Sequence, residues 1–270
     1  MFEKNIKLKT VFEQVERVSS YLFAREWAER NGGNLSINVT EEMGTVLQED
    51  LERAIFVEDT RVLEELKGSS FFITGTGLRI RDLNVGKMAQ NACILRVSEC
   101  GTGYHILWGG HRENFRPTSE LSTHFAIHLN LINRGGRHKA LLHTHPHELI
   151  VMTHNSILCK TSDILTHNLW KMIPEVRVFV PKGVAFIPYE MPGSQTLADK
   201  SLIQLEKRDV LVWEKHGALA TGVDLDDAFD YVDVANKGAK VFLKCLSAGF
   251  EPEGLSCEQM SELEVQYLKK

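Results

Sequence analysis

Apolar residues near the start of the chain fall at helical spacing. Val11, Val15, Val18, Leu22 and Trp27 lie on one stripe, which predicts a helix over 9–30. Asn31-Gly-Gly-Asn34 interrupts that period, and Leu35-Ser-Ile-Asn-Val39 then alternates as a strand does. Ser70-Phe-Phe-Ile-Thr74 is a short apolar run expected as a buried strand, followed by Gly75-Thr-Gly77. Residues 93–97 and 103–108 read as paired strands. Pro117-Thr-Ser-Glu120 opens an amphipathic helix that runs to about Asn133, with Thr118 or Ser119 expected to cap it and Gly135-Gly136 to stop it. Residues 140–145 form a strand closed by Pro146. Further strands are expected over 177–180, 184–187 and 209–214, and a last helix over 226–248 with Asp224 or Asp226 near its start. Strands alternate with helices, without a repeat or a Pro/Gly/Ser linker. The pattern implies one α/β domain over 1–270.

Charge modifies this picture in one place. Residues 41–65 hold nine acidic side chains against Arg53 and Arg61, a local charge of −7 where the remainder of the chain sums to +2. Residues 41–67 are therefore expected as a solvated peripheral excursion with some helix. The whole chain carries −5, which leaves no basic footprint for nucleic acid. Its five cysteines are odd in number and form no CxxC pair, which argues against a disulfide framework and for a reducing compartment. Residues 1–10 lack the apolar stretch of a leader, and no run approaches the ~18 apolar residues of a membrane span. The expectation is a cytoplasmic protein. At 270 residues it can bury roughly 70–75% of its surface.

The candidate chemistry begins with histidine. In a strand, residues two apart share a face, so His143 and His145 present two imidazoles on one side, close to the lip made by Pro146. His216 closes a second expected strand and precedes Gly217. Three histidines with one open position form the pattern of a catalytic zinc site. His124 and His128 are four apart on a helix, but Phe125 stands where a zincin would place its catalytic Glu; both are read as helix-face residues. Asn31-Gly-Gly-Asn34 and Thr74-Gly-Thr-Gly77 can expose backbone N–H groups to an anion or can be plain turns; neither is a P-loop. Thr118-Ser119 is a third possible anion site or an ordinary cap. Glu120, in the first turn of the same helix, is either a dipole-compensating acid or a catalytic one. Asp224–Asp230 lacks the Gly and the terminal Glu of a calcium loop.

Taken together, these stretches resemble the class II, zinc-dependent sugar-phosphate aldolases, and most closely their rhamnulose-1-phosphate branch. The resemblance is carried by Glu29-Arg-Asn-Gly-Gly-Asn-Leu-Ser36, Phe72-Ile-Thr-Gly-Thr-Gly77, Gly103-Tyr-His-Ile-Leu-Trp-Gly109, Pro117-Thr-Ser-Glu-Leu121, His143-Thr-His145, Leu169-Trp170, Pro192-Gly193 and His216-Gly217, in the family's order. The long acidic excursion also looks like that branch rather than the shorter fuculose-1-phosphate enzymes.

The resemblance implies a single three-layer αβα-type domain around a largely antiparallel sheet, assembled as a homotetramer. It implies cleavage of a phosphorylated ketose, L-rhamnulose 1-phosphate, to dihydroxyacetone phosphate and L-lactaldehyde. His143, His145 and His216 match the Zn²⁺ ligands, and Glu120 matches the acid/base. Asn31, Gly33, Asn34, Thr76, Gly77, Thr118 and Ser119 match substrate and phosphate contacts, with Thr76 in place of a serine common there. Glu175 matches an acid supplied across the subunit interface, although Lys171-Met-Ile-Pro174 before it departs from the family pattern. A fuculose-1-phosphate-type aldolase or a ribulose-phosphate epimerase would share this site. A non-catalytic aldolase-like module would not need three histidines and Glu120, and a zinc hydrolase would need a separate base that is not evident.

Overall fold

Alternation along single strands shows how the layers are built. In the computed structural model, which describes residues 6–83 and 86–268, successive residues of a strand enter different apolar clusters. Phe72 faces one way, while Phe71 and Ile73 face the other; Leu142 and Leu141 divide likewise, as do Val212 and Leu211. A sheet that is apolar on both faces must be covered on both. Residues 1–5, part of the stretch read for a leader, lie outside the described residues.

Among the described residues, nine strands form one sheet: β1 (Asn34–Asn38), β2 (Ile55–Glu58), β3 (Ser70–Thr74), β4 (Ala92–Val97), β5 (Gly103–Gly109), β6 (Ala140–Thr144), β7 (Val184–Ile187), β8 (Val210–Trp213) and β9 (Gly217–Gly222). Their order is β2-β5-β4-β3-β1-β6-β9-β8-β7. Every neighbouring pair is antiparallel except β7 with β8. Helices α1 (Ile6–Ala24) and α10 (Leu225–Ser247) contribute to the cluster on one face, through Val15 and Val18 and through Val232 and Ala235. Helix α5 (Leu121–Asn133) covers the other face with Leu121, Phe125, Ile127 and Leu131, and packs beside α9 (Gln195–Leu205). The result is a single mixed α/β domain.

Several local expectations need correction. The first helix ends at Ala24, and Trp27 and Ala28 are buried in the turn beyond it. Of residues 177–180, expected as a strand, the first three belong to helix α8 (Pro174–Phe179) and Val180 is its C-cap. Pro174 at its first turn presets φ for a helix and lacks an N–H that would be unpaired there anyway; a short apolar run cannot distinguish the two by period. The acidic excursion also holds a strand that its charge pattern does not announce. It contains two short helices, α2 (Thr40–Met43) and α3 (Gln48–Arg53), and then supplies β2, the edge strand paired with β5. Strand β9 escaped notice because Gly-Ala-Leu-Ala-Thr-Gly offers almost no β-branched pattern. At α10 the expectation holds: Asp224 caps the helix, accepting from the Asp227 N–H at 2.9 Å.

Antiparallel pairing gathers the motifs at one end of the sheet. β1 starts where β3 ends, with Ser36 opposite Ile73. β6 ends beside the start of β1, with His143 opposite Asn34. β9 starts beside the end of β6, with Ala218 opposite Thr144. An isolated bridge from Gly75 to Pro117 adds the approach to α5; there Thr118 N–H donates to the Thr74 carbonyl at 2.9 Å.

Candidate active site

The three histidines expected to act together do lie together. His143 is buried on the α5 face of β6, and its Nδ1–H donates to the Ala218 carbonyl at 2.9 Å. Burial, with His145 and His216 nearby, holds its pKa well below the ordinary imidazole value. The ring is therefore neutral, with its Nε2 lone pair free. His145 follows the end of β6. Its backbone N–H is fixed to the Trp27 carbonyl at 2.9 Å, and its Nδ1 sits 2.6 Å from Glu29 Oε1. That leaves Nε2, which is buried without a partner among the described residues.

His216 is delivered by the tight turn between β8 and β9. Its N–H donates to the Trp213 carbonyl at 3.1 Å, and Lys215 takes a left-handed conformation with φ of 57°. Burial pushes His216 down to about 4, and its Nδ1 is also buried without a partner. A Cβ at Gly217 would stand 2.8 Å from His145 Cδ2 and 3.0 Å from His143 Cε1, so glycine is what lets β9 pass beside both rings. Trp213 packs on His143 and His216, with ring centres 4.6 and 5.1 Å away.

One candidate ligand atom from each histidine lies within 4.8 Å of the others. Buried polar atoms without partners are costly, about 1–3 kcal/mol each, so the orphaned nitrogens of His145 and His216 in this cluster call for a ligand. Neutral imidazoles suit a divalent transition metal at roughly 2.0–2.1 Å, with a position left open. Glu29 takes the place of the outer carboxylate that orients a metal-bound histidine. Gly32 allows it: a Cβ there would come within 2.9 Å of His145 Nδ1 and 3.0 Å of Glu29 Oε1.

Glu120 is buried at the start of α5. Burial raises its pKa; the Asn34 hydrogen bond and the nearby His145 oppose that rise. Asn34 Nδ2 donates to Glu120 Oε2 at 2.9 Å. The expected capping by Thr118 or Ser119 is absent. Glu120 itself occupies the cap position without a side-chain cap bond, and Thr118 Oγ1 accepts from the Glu120 N–H at 3.3 Å.

The remaining expected contacts divide. Asn31, Gly33, Thr76, Gly77, Thr118 and Ser119 all emerge at this end of the sheet; Thr76, Gly77 and Ser119 are exposed, whereas Thr118 is buried. Gly33 has a φ of +76° and lies against the His143 carbonyl, so its conformation also serves packing. Glu175 does not join the cluster. It is exposed at the start of α8 and lines a cavity of about 850 Å³ with Trp27, His147 and Lys237. Sequence reasoning assigned no role to Glu29, although it opens one of the matching stretches, or to Trp213, which bears no motif. It also left His124 and His128 as unremarkable helix residues, although both are buried against β1 at Ser36.

Known proteins share this chain's fold and much of its sequence. The family model described as Class II Aldolase and Adducin N-terminal domain matches residues 13–243. The chain is 38% identical over 271 residues to a rhamnulose-1-phosphate aldolase of Bacteroides thetaiotaomicron, spanning 99% of this chain and 97% of that one. A rhamnulose-1-phosphate aldolase of Yersinia pestis is 32% identical over 253 residues, 93% of this chain and 91% of its own. Among solved structures, a sugar-phosphate aldolase from Thermotoga maritima superposes with a TM-score of 0.73 at 30% identity, covering 92% of this chain and 99% of that one.

Proposed function

Because this chain belongs to the class II aldolase and adducin family, we propose that it is a metal-dependent lyase that cleaves L-rhamnulose 1-phosphate to dihydroxyacetone phosphate and L-lactaldehyde. The observation that carries this reading is the convergence of three histidines, two of them with a buried nitrogen that has no partner among the described residues, at the sheet end that also bears the buried Glu120.

His143, His145 and His216 would hold one zinc ion per subunit. When bound, it supplies a Lewis acid for the charge left on the ketose as C3–C4 breaks. The pair of electrons from that bond passes to C3, and the C4 hydroxyl proton must leave for the aldehyde to form. Glu120 delivers a proton to C3. Its burial favours the protonated carboxyl needed for that step. Asn31, Gly33, Asn34, Thr76, Gly77, Thr118 and Ser119 hold the phosphate and hydroxyls, fixing the reacting carbons. Their shared place at one sheet end supports that role.

Residues 1–270 work as one catalytic domain in a homotetramer. Glu175, exposed and apart from the histidines of its own chain, serves a neighbouring subunit as the partner of the C4 hydroxyl. Mixed tetramers of Glu120→Gln and Glu175→Ala should regain activity that each parent lacks; verified mixed tetramers that stay inactive would remove Glu175 from the reaction.

The reading is tested by assaying purified, zinc-loaded protein for dihydroxyacetone phosphate release from a panel of ketose 1-phosphates. L-Rhamnulose 1-phosphate should be cleaved fastest, ahead of L-fuculose 1-phosphate. Release from none of the panel would overturn the reading.

A further inference from the structure

Beneath Glu120 runs a buried line of polar side chains, of which the proposed chemistry uses only Asn34. On β1, Asn34 and Ser36 are two apart and share the α5 face; on α5, His124 and His128 are four apart and face the sheet. All four are buried, as is Glu120. His128 Nε2 lies 2.7 Å from Ser36 Oγ, Ser36 Oγ lies 2.7 Å from His124 Nδ1, His124 Nε2 lies 2.6 Å from Asn34 Oδ1, and Asn34 Nδ2 lies 2.9 Å from Glu120 Oε2.

The direction of this line follows from counting protons. Burial pushes both imidazoles down to about 3, so each is neutral at physiological pH, with one N–H and one lone pair. Asn34 gives an N–H to Glu120, so its carbonyl oxygen must accept from His124 Nε2–H. His124 Nδ1 then carries the lone pair and accepts from the Ser36 hydroxyl. Ser36 Oγ in turn accepts from His128 Nε2–H. Every donor points toward Glu120, and each intervening group gives one hydrogen bond and accepts one. Reversing a single group would set two donors or two lone pairs against each other, at the cost of a buried unsatisfied contact.

We propose that His128, Ser36 and His124 are positioning residues that hold the Asn34 amide with its NH₂ on the Glu120 carboxylate, so that this carboxylate is aimed before a ketose phosphate arrives. Apolar residues of similar volume would fill the space beneath α5 equally well but would leave the Asn34 amide free to turn over. The inference rests on the acid/base reading of Glu120.

The test compares two substitutions at one site. The amide nitrogen of Gln stands near the place of His Nε2, and that of Asn near the place of His Nδ1. Both are smaller than His, so a purely structural role predicts similar damage from each. The relay predicts asymmetry. With zinc-loaded protein and L-rhamnulose 1-phosphate, His124→Gln should stay within about twofold of wild type in kcat. His124→Asn should lose about tenfold in kcat and in the exchange of dihydroxyacetone phosphate protons with solvent, a loss on the scale of one hydrogen bond. KM and zinc content should hardly move in either variant. Ser36→Ala should resemble His124→Asn. Equal losses in the Gln and Asn variants, or no loss in either, would overturn the proposal.

A second readout needs no substrate. Nitrogen NMR of histidine-labelled wild-type protein should find both rings in the Nε2–H form at neutral pH. An Nδ1–H ring at His124 refutes the relay whether or not the protein cleaves a ketose phosphate. Nε2–H rings in a protein inert on the whole panel would uphold the line of hydrogen bonds while removing the lyase reading, and with it the positioning role.

Discussion

Two groups of histidines share one end of this sheet, and their bonding separates them. His124 and His128 are buried in a line of partners, with both ring nitrogens of His124 engaged, by Ser36 and by Asn34. His143, His145 and His216 are held differently: His143 and His145 each spend Nδ1 on one protein acceptor, and buried nitrogens of His145 and His216 are left with none. Spacing alone would not have separated them, since a pair four apart on a helix and a pair two apart on a strand both suit a metal. What separates them is where the lone pairs go. Satisfied nitrogens fix tautomers and build structure, while unsatisfied ones converging on a point wait for a ligand.

The largest effect should come from the open group. His143→Ala, His145→Ala or His216→Ala each removes one of three protein ligands, so bound zinc should fall sharply and lyase activity with it. Elemental analysis showing full occupancy in any of these variants would take that histidine out of the site. Glu120→Gln comes next: zinc and fold should persist while cleavage and proton exchange fall by about 10²–10⁴. A loss within about tenfold would assign the proton transfer elsewhere.

The closed group makes a prediction about acid stability. His124 and His128 take up protons near the ordinary imidazole value of 6.5 when unfolded, but burial pushes them down to about 3 in the folded protein. The unfolded state therefore binds more protons in that window. The folded protein loses about 1.4 kcal/mol of stability per pH unit for each ring as pH falls from about 6.5 to about 3, with no loss above it. His128→Phe should unfold more easily at neutral pH yet show a shallower acid slope. Denaturant midpoints across the acid range decide this; an unchanged slope would mean that the ring is not held neutral. The smallest effect belongs to the loop. Thr76→Ala should weaken ketose phosphate binding by about tenfold, near the lower end for a hydrogen bond to a charged group, with zinc untouched. Unchanged inhibition by inorganic phosphate would place the cradle elsewhere.

Much of the site was legible because its residues stand in short motifs at strand ends. The Gly-Gly and Gly-Thr-Gly turns, His143-Thr-His145 and His216-Gly217 each mark a place where the chain enters or leaves the sheet. Their meeting was not legible, because it depends on antiparallel register: His143 opposite Asn34, Ala218 opposite Thr144. In the sequence Ser36 is one position of an alternating strand and His124 a helix-face residue; only when α5 packs on β1 do they become one line. Glu29 stands in a turn with no period to flag it, and acts through a contact to a residue far along the chain. The misread segment 177–180 and the missed β9 show the opposite limit, where short apolar or small-residue runs carry no period of their own.

The most direct test of the metal-dependent lyase reading is dihydroxyacetone phosphate release from L-rhamnulose 1-phosphate by protein stripped with a chelator and then resupplied with zinc. Activity should vanish on stripping and return on addition of the ion in wild type, and should not return in His216→Ala. Cleavage that persists in metal-free protein would contradict the account.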